Sequence, residues 1–173
     1  MTWSKKEAVV FALALSLAAV LVFRVQGYLR IYDVQPGDHA PEFVLADDQG
    51  IGVSLDDYKG KYVLLNFWAT WCAPCVQEIP SLNQTYQQFE DKGFVVLAIS
   101  IDEDEDQYRN FIADARVSFP TVRDPERTVS GRYGTTKYPE SYLIDPDGEV
   151  LRKYVGAEDW SRPEIVNYLR SLL

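Results

Sequence analysis

The stretch Tyr62-Val63-Leu64-Leu65-Asn66-Phe67-Trp68 runs almost unbroken through apolar residues, and Cys72-Ala73-Pro74-Cys75 follows it closely. An apolar run of this length reads as a strand buried on both faces, which calls for helices on both sides of a largely parallel sheet. The two thiols then fall where that strand gives way to a helix. This junction constrains the fold more than any other feature of the chain.

The flanking elements follow from periodicity and turn chemistry. Residues 31–41 read as a polar linker with turns at Pro36-Gly37 and Pro41. Residues 42–46 and 51–54 are expected to form a hairpin around Asp47-Asp48-Gln49-Gly50, and 55–60 a turn or short helix. A helix is predicted from Ala73 to about Asp91, ended by Gly93, and a second buried strand over 94–101. Residues 105–115 place Tyr108, Phe111, Ile112 and Ala115 on one helical face. A brief strand at 121–123 and a short helix at 128–133 come next. Residues 141–145 and 150–155 form an antiparallel hairpin across Pro146-Asp147-Gly148. A last helix starts near Arg162, where Ser161 and Glu164 suit a capping box and Pro163 the first turn. The order β-β-β-α-β-α-β-α-β-β-α predicts an α/β domain over 42–173, a mixed sheet flanked by helices.

Ahead of this domain, Ala8 to Phe23 is sixteen residues without a charge, preceded by Lys5 and Lys6. Such a run is the apolar part of a signal peptide or a short transmembrane helix. Arg24-Val25-Gln26-Gly27-Tyr28 offers a poor cleavage context, and Trp3 and Tyr28 sit where interfacial aromatics lie. Residues 1–30 are therefore expected to be an uncleaved signal-anchor, with the working domain outside the cytoplasm.

Charge and side-chain inventory narrow the chemistry. The net charge of −9 argues against a nucleic-acid partner, because phosphates need a basic face. Residues 31–173 are more acidic still, with 13 Lys/Arg against 25 Asp/Glu. The densest run, Asp102-Glu103-Asp104-Glu105-Asp106, reads as the solvated start of a helix. Two cysteines and one histidine cannot fill a four-ligand zinc site, and His39 reads as an exposed loop residue. No metal or other cofactor is expected.

Cys72 and Cys75 are three residues apart in what becomes a helix's first turn, close enough to form a small disulfide ring. That turn exposes free N–H groups at the positive end of the helix dipole, so a thiolate on Cys72 is stabilised and its pKa falls below the free-thiol value. Pro74 lacks an N–H, which costs little so early in a helix. The plainer alternative is a structural disulfide. A loop of a few residues removes little unfolded-state entropy, so redox work explains the pair better.

The segment FWATWCAPC resembles the active site of the thioredoxin superfamily. A wider set of matches resembles its membrane-anchored TlpA/ResA-like and CcmG-like branch. These are Gly37-Asp38 with Pro41 and Phe43, LLNFWATWCAPC from Leu64, Cys75 to Pro80, Phe119-Pro120 after an inserted helix, and Tyr138-Pro139-Glu140-Ser141 leading into LIDPDG. The resemblance covers residues 36–173. It implies a thioredoxin-like fold with an N-terminal hairpin extension and an inserted helix. It also implies reduction of protein disulfides by attack of Cys72 and resolution by Cys75. Glu78 lies three residues after Cys75, on the same helical face, and the family places a functional acid there. Where ordinary thioredoxins carry a buried aspartate this chain has Asn66, which leaves Glu78 as the proton acceptor. Pro139 matches the family's cis-proline, with the Tyr138 backbone free to pair with a bound substrate. Trp71 and Pro74 belong to the same substrate-facing rim. Implied partners are disulfide-containing proteins such as apocytochrome c and a membrane electron donor.

Other functions fit less well. A general disulfide reductase or isomerase shares every motif named above. Thiol peroxidases share the fold but need a Thr and a Pro where this chain has Ala69 and Leu65. A copper carrier of related fold needs CxxxC and a distal His. A disulfide-inserting oxidase usually carries a large helical insertion, whereas residues 102–119 hold one helix.

Overall fold

A computed structural model describes residue 12 and residues 14–22, 33–47 and 49–173. The chain divides into two units, 1–31 and 32–173. In the first, residues 14–22 are helical and exposed. Apart from residue 12, the rest of the expected signal-anchor, including both ends of its apolar run, lies outside the described residues. Among those described, no helix is long and apolar enough to cross a membrane.

The second unit is built on a five-stranded sheet. Its strands are β3 (Tyr62–Trp68), β4 (Phe94–Ser100), β5 (Thr121–Arg123), β6 (Glu140–Ile144) and β7 (Val150–Val155), in the spatial order β5-β4-β3-β6-β7. The strand at the centre is β3, parallel to β4 and antiparallel to β6. Strands β4 and β5 are parallel, and β6 and β7 form the closing antiparallel hairpin. A separate two-stranded sheet holds β1 (Val44–Ala46) and β2 (Gly52–Ser54), the expected N-terminal hairpin. The helices are α1 (Ala73–Phe89), α2 (Glu105–Asp114), α3 (Thr128–Tyr133) and α4 (Pro163–Leu172). This is a thioredoxin-like α/β fold, and its element order is the one the sequence predicts.

The central strand is buried on both faces because its side chains alternate between two cores. Leu64 and Trp68 point into a cluster with Ile79, Leu82 and Phe89 of α1, Tyr108 of α2 and Ile165 and Leu169 of α4. Val63, Leu65 and Phe67 point the other way, onto Val129 and Tyr133 of α3, Phe43 and Leu55. A one-residue slip of β3 would exchange the two sets and place Asn66 among Tyr133 and Tyr142, so the register is firmly set.

Three local expectations need amendment. Residues 33–41, expected as a linker, lie along the domain: Val34 is buried, Gly37 N–H donates to the Val150 carbonyl and Val150 N–H to that of Asp38. The capping box at α4 does not form. The Ser161 hydroxyl bonds Asp159 instead, and α4 begins at Pro163 without a side-chain cap. Within the acidic run, Glu103 to Asp106 are exposed and Asp104 caps α2 by accepting from Gln107 N–H at 3.0 Å. Asp102, however, is 1% exposed, because the loop after β3 folds over it.

Candidate active site

The turn that leaves β3 closes through a hydrogen bond from Cys72 N–H to the Ala69 carbonyl at 3.2 Å. Cys72 is then the N-cap of α1, in extended conformation, and its Sγ accepts from Cys75 N–H at 3.4 Å. Cys72 and Cys75 are joined by a disulfide, with Cα atoms 5.2 Å apart. Cys72 is 7% exposed whereas Cys75 is wholly buried, so an incoming partner reaches Cys72 first. Pro74 lies exposed in the first turn, where its missing N–H leaves no helical bond unmade. Further along, Pro80 deprives the Val76 carbonyl of its helical partner, and Ser81 Oγ donates to the Glu78 carbonyl at 2.8 Å.

Helix α1 also carries Glu78 into the interior, where it is 3% exposed. Three neighbours donate to its carboxylate. Asn66 Nδ2 reaches Oε1 at 2.7 Å, while Glu158 N–H and Trp160 Nε1 reach Oε2 at 3.2 Å each. Burial pushes the carboxyl up to about 7, against the pull of those three donors. Asn66 also donates to Ser141 Oγ at 2.8 Å, its register partner on β6, which fixes the amide across the sheet. Trp160 is locked from both sides, its N–H on Ser81 Oγ and its carbonyl on the Thr85 hydroxyl. An open groove of about 440 Å³, lined by Gln77, Glu78, Pro80, Ser81, Glu158 and Asp159, connects this corner to solvent.

On the opposite side of the disulfide, Trp71 stands 58% exposed, and its ring meets Tyr138 edge-on at 6.4 Å. The Tyr138–Pro139 bond is cis. Pro139 is buried and its carbonyl accepts from Gly156 N–H at 2.9 Å, tying the turn before β6 to the end of β7. The structure thus gathers Trp71, Cys72, Pro74 and Tyr138 at one surface and sets Cys75 and Glu78 beneath it. His39 is exposed and forms an isolated bridge with Glu149, away from the cysteines. Among the described residues, no cluster of His, Cys, Asp or Glu could hold a metal ion.

Sequence reasoning missed Trp160, Ser141 and Asp102. A lone tryptophan in the loop between Gly156 and Ser161 was the one available signal for Trp160. Ser141 and Asp102 gave none, because their roles depend on which strands pair.

A disulfide at the N-terminus of the helix following the central strand, with its first sulfur the accessible one, defines a thiol–disulfide oxidoreductase of thioredoxin-like fold. The chain belongs to the AhpC/TSA family, which it matches over residues 36–153. It is similar to the thiol-disulfide oxidoreductase ResA of Bacillus thuringiensis (strain Al Hakam), at 37% identity over 80% of this chain and 79% of the relative. ResA of Bacillus thuringiensis subsp. konkukian is 34% identical over 97% of this chain and 98% of the relative. A Chlorobium tepidum crystal structure assigned as the thiol:disulfide interchange protein DsbE matches with a TM-score of 0.71 and 36% identity, covering 81% of this chain and 96% of that one.

Proposed function

We propose that this chain is a membrane-anchored disulfide reductase working outside the cytoplasm, with the haem-attachment cysteines of apocytochrome c among its substrates. The observation that carries the reading is Glu78, a buried carboxyl poised near neutrality on the helical face of the buried cysteine. Such a group exchanges protons with a thiol at working pH.

In the reduced protein the Cys72 thiolate attacks one sulfur of a substrate disulfide. A Cys72–substrate mixed disulfide forms, and the other substrate sulfur leaves as a thiolate that takes a proton from solvent. The Glu78 carboxylate then accepts the proton of Cys75. Cys75 thiolate attacks Cys72 Sγ, the Cys72–Cys75 disulfide closes, and the second substrate sulfur departs. Two electrons have passed to the substrate, and a membrane donor returns them. The groove beside Glu78 gives its proton a route to solvent. Trp71, Pro74 and Tyr138 form the surface on which the substrate chain lies, and the buried cis Pro139 shapes the turn beneath it, with the Tyr138 backbone open for pairing.

Placement outside the cytoplasm rests on the uncharged run at residues 8–23 behind two lysines. The alignment with the konkukian ResA covers 97% of this chain and so extends into that run. The substrate rests on the likeness to the TlpA/ResA-like branch.

The direction of electron flow is tested by the reduction potential of the full-length protein in detergent. A value near −270 mV or lower supports reduction, and one near −120 mV refutes it. Substrate choice is tested with an oxidised Cys-x-x-Cys-His peptide against insulin. Faster reduction of the peptide is expected, and equal rates would leave a general reductase.

A further inference from the structure

The loop that presents Cys72 is gripped from below by a carboxylate on the neighbouring strand's end. Asp102 follows β4 and is 1% exposed. Its oxygens accept from Thr70 N–H at 2.9 and 3.2 Å, from the Thr70 hydroxyl at 2.7 Å and from Ser100 Oγ at 2.6 Å. The aspartate is itself immobilised: its N–H donates to Ser100 Oγ at 3.0 Å, and Arg123 holds its carbonyl at 3.3 Å. Thr70 is the second residue of the turn Ala69–Cys72, directly before Trp71 and two residues before the attacking sulfur. Two of the three donors on this carboxylate therefore belong to the active-site loop, although 32 residues separate the partners.

We infer that Asp102 is a positioning residue for thiol–disulfide exchange, acting through Thr70 to set Cys72 and Trp71 against the first turn of α1. Cys72 gains its thiolate stabilisation from the N–H groups of that turn, and Cys75 N–H already points at its sulfur. The angle at which the chain enters the helix fixes that alignment, and the grip on Thr70 fixes the angle. Releasing Thr70 moves Cys72 Sγ off those donors, which weakens the thiolate and misaligns its attack. The inference rests on exchange at Cys72 and not on which protein is the substrate.

A purely electrostatic role has the opposite signature. If Asp102 acted by its charge, it would disfavour the Cys72 thiolate, and neutralising it would lower the thiol pKa. The experiment uses full-length reduced protein. The pH profile of Cys72 alkylation and the single-turnover rate of cleaving a disulfide peptide are measured for Asp102→Ala, Asp102→Asn, Thr70→Val and Thr70→Ser. Asp102→Ala is expected to slow the attack about a hundredfold, and Thr70→Val, which loses one bond, about tenfold. In both, the alkylation inflection moves to higher pH. Thr70→Ser restores the hydroxyl and recovers the wild-type profile. Asp102→Asn keeps an oxygen for Thr70 N–H and falls between wild type and Asp102→Ala. Should Asp102→Ala fail to fold, Thr70→Val against Thr70→Ser decides. A wild-type rate and inflection in Thr70→Val overturns the inference, as does an inflection that moves to lower pH in Asp102→Asn.

Discussion

Replacing Glu78 with Gln isolates the energetic cost of the buried carboxylate. Burial raises the carboxyl from an ordinary 4.5 to about 7, so the folded protein prefers the protonated form. Stability from this group is therefore fully present below pH 4.5, declines as pH rises toward 7, and is level above that. The gap corresponds to about 3 kcal/mol at 1.36 kcal/mol per pH unit, most of which falls between pH 5 and pH 8. Gln fits the same site. Its oxygen can face Glu158 N–H and Trp160 Nε1, which cannot reverse, while its NH₂ meets an Asn66 amide turned to offer Oδ1. Ser141 can then donate to that oxygen, so the contacts between residues 66, 78 and 141 are kept. Urea unfolding of oxidised wild-type and Glu78→Gln proteins at pH 5 and pH 8 gives four free energies. The wild type should lose about 2 to 3 kcal/mol more across this interval than the variant does. Contributions from the rest of the chain are common to both proteins and cancel. Parallel pH slopes would refute the reasoning, because they would mean Glu78 carries the same charge folded and unfolded.

Other perturbations read the same site through different observables. Cys72→Ser should abolish reduction of insulin, whereas Cys75→Ser should accumulate a mixed disulfide visible on a non-reducing gel; normal turnover by Cys72→Ser would sink the assignment of the attacking thiol. Trp160→Phe removes one donor that favours the charged form of Glu78, so its titration, followed by carboxyl NMR, should move further up. Trp71→Ala should raise KM for a protein substrate with little change in Cys72 alkylation, because the exposed ring contacts Tyr138 but not the sulfur's donors; an unchanged KM would remove Trp71 from the docking surface.

What the sequence made legible followed from chain-local physics. Apolar runs predicted β3 and β4 as strands buried on both faces, and both are. Gly93 and Gly134, with φ of 84° and 74°, stop the segments before them as glycine in the left-handed region does. The place of Glu78 on the helical face of Cys75 was legible too, because three residues along a helix is a matter of pitch alone. The misreadings arose where a side chain had two possible partners. Ser161 looked like a cap for α4, but Asp159 lies two residues away and takes its hydroxyl. Asp102 looked like the first of five solvated acids, yet the donors that hold it come from β4 and from the loop after β3. Ser100 is two residues away, but Thr70 is 32 away, and nothing near Asp102 in the sequence announces that meeting.

The same distinction explains how this site divides its work. Cys72 caps α1, and Cys75 and Glu78 sit on its first two turns, where local chain geometry sets their spacing. Their environment comes from elsewhere: Asn66 and Ser141 from the paired strands β3 and β6, Trp160 from the loop ahead of α4, and Asp102 from the end of β4. A CxxC helix cut from this protein would keep the thiols and the acid together. It would lose the burial that lifts Glu78 toward 7 and the grip that holds Cys72 at the helix N-terminus. The motif supplies the reactive groups, and the sheet tunes them through residues that carry no motif at all.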